Sequence, residues 1–252
     1  NTIPFIARYR KELHGAMDDT ALRTLEERLQ YLRNLEKRKE EVKNAIENQG
    51  KLTEELKQRI DGCFDAVELE DISLPYKPKR RTRATIARER GLEPLADMIW
   101  LQQTGDIAGK ARMYINNDVP TVEDAIAGAS DIIAERVSEN EGARTAMRRL
   151  FARRGILSSR VIKGKEPDGI KYSDYYEWEE PVTRITSHRL LAIMRGEEEG
   201  FLRVSITVDG EEAQEQLFRR FVKRGSPVRG IMEAAVADGF KRLLAPSMEN
   251  ET

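Results

Sequence analysis

The sequence is poor in the residues on which most protein chemistry depends. Its one cysteine, Cys63, excludes an internal disulfide and a cysteine-rich zinc site. Two histidines, His14 and His188, are too few for a histidine-based metal centre, and no cofactor is expected. No apolar run approaches the roughly 20 residues that a membrane span needs, and no signal peptide is visible. A soluble, cytoplasmic protein with no membrane partner is therefore expected. Net charge is only −1, so the chain as a whole exerts no long-range pull on a polyanion. Any nucleic-acid site must be a local patch. The apolar fraction, 39%, is low and the charged fraction, 35%, is high, which suits an elongated helical protein with much surface per residue. The 252 residues allow one large domain or two small ones. The chain starts at Asn1 without methionine and stops soon after a helical pattern, so it reads as a fragment of a longer protein.

What is present is concentrated in LEDISLPYKPKRRTR, residues 69–83. Leu69, Ile72, Leu74 and Tyr76 are anchors that can bury. Pro75 and Pro78 hold the backbone extended, because proline fixes φ and moves the residue before it out of the helical region. Lys77, Lys79, Arg80, Arg81 and Arg83 then place five cations within seven residues. This basic tongue has three readings: a solvated connector, a nucleic-acid contact, or a docking surface for an acidic partner.

Before it, residues 1–16 bring Ile3, Phe5, Ile6 and Tyr9 to one side and Arg8, Arg10 and Lys11 to the other. Asp18 or Asp19 caps a long helix over 18–49. Its Leu22, Leu25, Leu29 and Leu32 follow the 3-4-3 spacing of an a/d seam, which slips at Leu35 and resumes at Val42 and Ile46. Gly50 stops it. Thr53 caps a helix that buries Leu56 and Ile60, and Asp65 starts another over 66–72. Thr82 caps 83–90, Gly91 breaks it, and Pro94 opens a helix that runs to Gln102. These two helices have helix-turn-helix spacing, as any helical hairpin does.

A short helix follows over 106–114. Thr121 and Asp124 then form a capping-box pattern before a helix whose buried stripe is Val122, Ile126, Ala129 and Ile133. Asn140 caps a helix ending at Gly155, with Ala143, Met147, Leu150 and Phe151 inward. Arg144, Arg148, Arg149, Arg153 and Arg154 make a second basic cluster on it, read as a solvated face. Residues 156–163 and 201–208 have strand composition and are expected to pair. A loop over 166–181 between them holds Tyr172, Tyr175, Tyr176 and Trp178, read as packing groups. Ser187 caps a helix ended by Gly196, and helices over 211–223 and 228–245 close the chain. The expected fold is mainly α: a multi-helix scaffold with hairpins, one long central helix and a minor β pair in the C-terminal half. Two regions are expected, 1–154 helical and 155–252 mixed.

Catalytic patterns fail one by one. GDIAGKA at 105–111 is one residue short between its glycines for a phosphate loop and lacks the Mg²⁺-binding hydroxyl. Ser187 and His188 have no third group to orient the imidazole. Glu197–Glu199 reads as a solvated acidic run, and Cys63 has no activating setting. The expectation is a protein that is not an enzyme.

Several strings resemble one family: PFIARYRKE at 4–12, DDTALRTLEERL at 18–29, LPYKPKRRT at 74–82, GLEPLAD at 91–97 and SHRLLAIMRGEEEG at 187–200. Together they are similar to the bacterial Tex transcription accessory proteins, themselves similar to the eukaryotic elongation factor Spt-six. The resemblance covers essentially the whole chain. It implies a cytoplasmic, nucleic-acid-binding protein acting in transcription, with RNA first and DNA second as ligand. Further partners would be RNA polymerase or other transcription machinery, and RNase-H-like, helix-hairpin-helix and OB-fold domains on the C-terminal side. The family's first helix or two would lie before Asn1. The resemblance implies no catalytic residue in this chain.

The leading expectation is thus a helical scaffold whose Lys77, Lys79, Arg80, Arg81 and Arg83 contact phosphates, assisted by Arg8, Arg10 and Lys11. Such contacts position a nucleic acid without reading its sequence. The alternative is a protein-interaction scaffold whose tongue docks on the transcription machinery or on the protein's own C-terminal domains. A nuclease or hydrolase built on carboxylates ranks last.

Overall fold

Side-chain caps set most helix starts along this chain. The structure, a computed structural model, describes residue 5, residues 17–78 and residues 81–252. Its chain divides into two units, Asn1–Pro78 and Lys79–Thr252. Among the described residues there are twelve α-helices and one three-stranded sheet.

In the first unit, Asp18 accepts from the Ala21 amide at 2.7 Å and opens α1, Asp19–Glu47. Thr53 caps α2, Glu54–Asp61, and Asp65 caps α3, Ala66–Ser73. The turn before α2 passes through Gly50 at φ +66°, a left-handed conformation that suits a residue without Cβ. The core joins Leu35, Val42 and Ile46 of α1 to Leu56, Ile60, Cys63, Leu69 and Ile72. Each such side chain contributes about 1.5–3 kcal/mol on burial, so this half of α1 holds the unit together. The expected seam is thereby displaced. Leu25 and Leu29 remain 54% and 45% exposed, because the α2–α3 hairpin packs beyond the slip at Leu35. One core position is a lysine. Lys39 is 1% exposed and its ammonium donates to Glu36 at 2.7 Å and to the Asp61 carbonyl at 2.9 Å. Asp61 is the last residue of α2, where a cation meets the negative end of the helix dipole.

The second unit is built around one helix. Thr82 caps α4, Arg83–Glu89, and α5 is Glu93–Leu101 with Pro94 in its first turn. After α6, Ile107–Ala111, comes α7, Val122–Glu139, whose Thr121 hydroxyl accepts from the Asp124 amide and donates to its carboxylate. The expected stripe on α7 is too narrow. Ala125, Ala129, Ile132, Ile133, Ala134 and Val137 are all buried, because helices pack on several sides of it. Small residues let them approach. A Cβ on Gly128 would stand 2.4 Å from the Leu92 side chain. Asn140 then caps α8, Glu141–Arg154, which leads into β1, Ile156–Val161.

The expected β pair forms, and a third strand joins it. β2, Glu177–Pro181, arises inside the aromatic loop, and β3, Leu202–Thr207, flanks β1 on the other side, all antiparallel. The outward amides of edge strand β3 are sealed by carboxylates: Val204 donates to Glu197 and Ile206 to Glu249, both at 3.1 Å. Helix α9, Ser187–Glu198, runs through Gly196 instead of ending there, with Thr186 rather than Ser187 at its cap. Gly196 is a packing glycine, since a Cβ would meet Leu202 at 2.5 Å. Then come α10, Gly210–Phe221, and α11, Arg229–Asp238. A π-helical turn, Gly239–Leu244, carries the last helix on into α12, Ala245–Glu251, past the expected end at Ala245. The division expected at 154/155 falls inside this unit, where Leu150 and Phe151 share a core with Ala213, Leu217 and Phe221.

Gly239 marks the closest approach to α7: a Cβ there would lie 2.8 Å from the Ala134 carbonyl oxygen. Gly239→Ala is expected to destabilise by about 1–3 kcal/mol in urea unfolding, the range for overpacking. Gly230→Ala, in α11 with open space around it, should be neutral or mildly stabilising. Equal midpoints for both variants would contradict the packing described.

Candidate nucleic-acid interface

The basic stretch emerges from a short 3-10 turn, Leu74–Tyr76, whose Pro75 sits in the first turn. In the first unit Lys77 follows, half-buried, with its ammonium on the Glu70 carboxylate. Arg38 of α1 donates to the same carboxylate at 2.8 Å and also reaches Glu41 at 3.1 Å. Gln49 ties the turn to α1 by donating to the Tyr76 carbonyl at 2.7 Å. The Arg38 hydrogen bond holds the Glu70 carboxyl below the usual carboxylate range; partial burial opposes it and Lys77 adds to it. Beside Lys77 lies a cleft of about 180 Å³ with Val42, Ala45, Ile46 and Tyr76 in its lining. Arg38, Glu41 and Lys77 line it as well, so charges of both signs stand beside the apolar wall.

In the second unit Arg81 is exposed and pairs with Glu89 at 2.9 Å. Thr82 next to it is anchored. Its hydroxyl accepts from the Thr85 amide at 3.1 Å and reaches the buried Glu135 carboxylate at 3.2 Å. Arg83 is exposed at the first position of α4. Burial holds the nearby Asp131 carboxyl above the usual carboxylate range, and Arg242 and then Arg83 offset only part of that rise. Lys79, Arg80, Arg8, Arg10 and Lys11 lie outside the described residues. Of the cations expected at the site, the structure therefore describes Lys77, Arg81 and Arg83.

The helix-turn-helix spacing corresponds to α4 and α5, joined through Gly91 at φ +75°. The exposed positions of α5 are Glu93, Pro94, Asp97 and Leu101. Glu93 and Asp97 both pair with Arg136 of α7, at 3.4 and 2.6 Å. That face offers no cation to a phosphate. On α8, Arg144 and Arg148 converge on Glu251 of α12, and Arg154 pairs with Glu212 of α10 at 2.9 Å. The aromatic groups pack among themselves. Tyr172 is buried against Phe201, Tyr175 meets Trp178 edge-on, and Arg189 lies over the Trp178 ring at 4.7 Å. Cys63 is buried, and burial pushes its thiol up. Among the described residues no group of three or more His, Cys, Asp or Glu could hold a metal, and no helix is long and apolar enough to cross a membrane.

Sequence reasoning missed the carboxylates that meet the cations: Glu70, Glu89, Glu212 and Glu251. Only Glu89 and Glu70 lie near their partners in the chain, at spacings with no helical meaning. The others come from distant helices, and nothing local marks them.

The helical scaffold with its basic stretch defines a class, and comparison with known proteins supplies the family. Residues 102–249 match the family model described as Tex central region-like, and residues 1–47 match the Tex-like protein N-terminal domain. The first match alone spans more than half the chain, and the chain belongs to the Tex family. It is 42% identical over 245 residues to the transcriptional accessory protein Tex of Neisseria gonorrhoeae, covering 96% of this chain and 31% of that protein. Protein YhgF of Escherichia coli (strain K12) is 46% identical over 211 residues, covering 83% of this chain and 27% of that protein. The S1 RNA-binding domain-containing protein 1 of Homo sapiens is 30% identical over 270 residues, covering all of this chain and 27% of that protein. The chain thus spans about a third or less of the length of these relatives.

The carboxylates predict an acid response. Glu70 and Asp61 have folded pKa values depressed by Arg38 and Lys43 respectively. Their contribution is present above the unfolded pKa and is lost as pH falls through the folded one. Melting of the chain should be flat from neutral to about pH 5 and fall below about pH 4. The wild-type advantage over Glu70→Gln should shrink over that same window. A difference that stays constant down to low pH would contradict the pairing.

Proposed function

We propose that this chain is a helical, nucleic-acid-binding scaffold of a cytoplasmic transcription accessory protein, and not an enzyme. The cations of residues 77–83 contact phosphates, with Arg8, Arg10 and Lys11 assisting. The observation that carries this reading is how loosely the described cations are held. Arg81 and Glu89 are both exposed, and such pairs contribute about 0–1 kcal/mol, so a phosphate displaces the carboxylate at little cost. Lys77 can leave Glu70 because Arg38 still satisfies that carboxylate. Family membership and the relatives named for transcription and for RNA binding support the same direction. RNA ranks ahead of DNA, since α5 presents acids where a DNA-reading helix needs donors.

One observation favours the second reading, a protein-docking scaffold that binds transcription machinery or other domains of the same protein. Leu191 and Met194 stand 67% and 45% exposed on α9, three residues apart on one face.

Binding of the chain to single-stranded RNA and to duplex DNA over a salt series separates the two. Affinity should fall steeply with salt as counterions are released. A Lys79→Glu, Arg80→Glu, Arg81→Glu variant should lose it. Absence of affinity at low salt, or an affinity indifferent to salt, would refute the nucleic-acid reading and leave protein docking.

A further inference from the structure

Arg149 and Arg153 of α8 are two of the described cations that enter no ion pair. Of its five arginines, Arg144 and Arg148 are held by Glu251 on one flank and Arg154 by Glu212 on the other. Arg149 and Arg153 are exposed and have no hydrogen bond or ion pair among the described residues. They stand four residues apart on one face, about 6 Å along the helix axis. The rotation of α8 is fixed from both sides. Ala143, Met147, Leu150 and Phe151 are buried beneath it, so Arg149 and Arg153 must point to solvent. Two like charges at this spacing repel in the free helix. The helix dipole accounts for arginines in the last turn, Arg153 and Arg154, and does not extend to Arg149.

We propose that the Arg149–Arg153 ridge of α8 is a phosphate contact for one nucleic-acid strand, separate from residues 77–83. The proposal rests on the nucleic-acid reading above and names a second surface for it. Two guanidinium groups at this spacing can each take a phosphate oxygen of the same strand, and the bound anion relieves their repulsion. An acidic protein is the poorer occupant. The exposed residues beside the pair include the small Ala152, and the ridge has no aromatic or large aliphatic anchor of the kind that supplies the energy of protein interfaces. Phosphate contacts need only the cations.

The test uses the whole chain, fluorescein-labelled oligouridine and a salt series. Arg149→Glu with Arg153→Glu should weaken binding at low salt by about tenfold or more, the scale of losing two phosphate contacts. Arg149→Ala with Arg153→Ala should lower the slope of log affinity against log salt by about 1.4, since each phosphate on a single strand contributes about 0.7. Both substitutions are at exposed positions, so the melting temperature should not change, and the alanine pair stands as the test if the glutamate pair fails to fold. Wild type that binds, with an unchanged slope in the alanine pair, would overturn the ridge and leave the nucleic-acid reading intact. Wild type that binds neither oligouridine nor duplex DNA at low salt would overturn both.

Discussion

Glu135 sits on α7 with 5% of its surface exposed, and its carboxylate is where the second unit is fastened. It accepts from the Arg88 guanidinium at 2.7 Å and from the Thr82 hydroxyl at 3.2 Å. Thr82 starts α4 and Arg88 lies in its last turn, so one carboxylate grips both ends of that helix. The next residue on α7, Arg136, has the opposite sign and takes Glu93 and Asp97 of α5. Two neighbouring residues of α7 thus tie down the whole α4–α5 hairpin, over a layer made by Ala84, Ala87, Leu92, Leu95, Ala96 and Ile99. Removing Glu135 would leave Arg88 with the longer 3.4 Å contact to Glu93, and removing Arg88 would leave the mostly buried Glu135 without its 2.7 Å hydrogen bond, a loss that costs more than the pair contributes. The arrangement therefore fixes which way the hairpin docks.

That anchoring has a consequence for the charges. Thr82 is held, and the residues on either side, Arg81 and Arg83, are exposed. In the first unit Gln49 and Arg38 do the same for the residues just before Lys77. In each unit, then, cations are set beside a fixed point of backbone instead of at the tip of a long loop. Pre-set backbone lowers the ordering cost when a polyanion binds.

Much of the helical frame was legible because its signals are local. Asp18, Thr53, Asp65, Thr82, Thr121 and Asn140 each cap a helix through a side chain that reaches only two or three residues ahead. The strands β1 and β3 were legible from β-branched residues between glycines. What was hidden depends on distant partners. β2 forms in an acidic, aromatic segment because β1 lies beside it, although its own composition argues for a loop. Gly196 looks like a helix end and serves instead as a close contact to Leu202, and the approach of Gly239 to the Ala134 carbonyl has no local sign at all. Leu25 and Leu29 keep an ideal seam spacing and stay exposed, since spacing shows which face could bury and not what comes to bury it. The basic stretch itself was plain in the sequence. Its neutralisation by Glu70 and Glu89 was not, and the solvated face expected of the α8 arginines holds for Arg149 and Arg153 but not for Arg144 and Arg148, which Glu251 takes from a distant helix.

The measurement that bears most directly on this account is a double-mutant cycle across the fastening point, with Arg88→Met, Glu135→Gln and the two combined, followed by urea unfolding of the whole chain. A coupling of about 1.5 kcal/mol or more, the double variant being far less damaged than the two single losses summed, is the result the structure requires. Losses that add to within about 0.5 kcal/mol would mean that Arg88 and Glu135 do not hold each other, and that α4 and α5 are placed on α7 by packing alone.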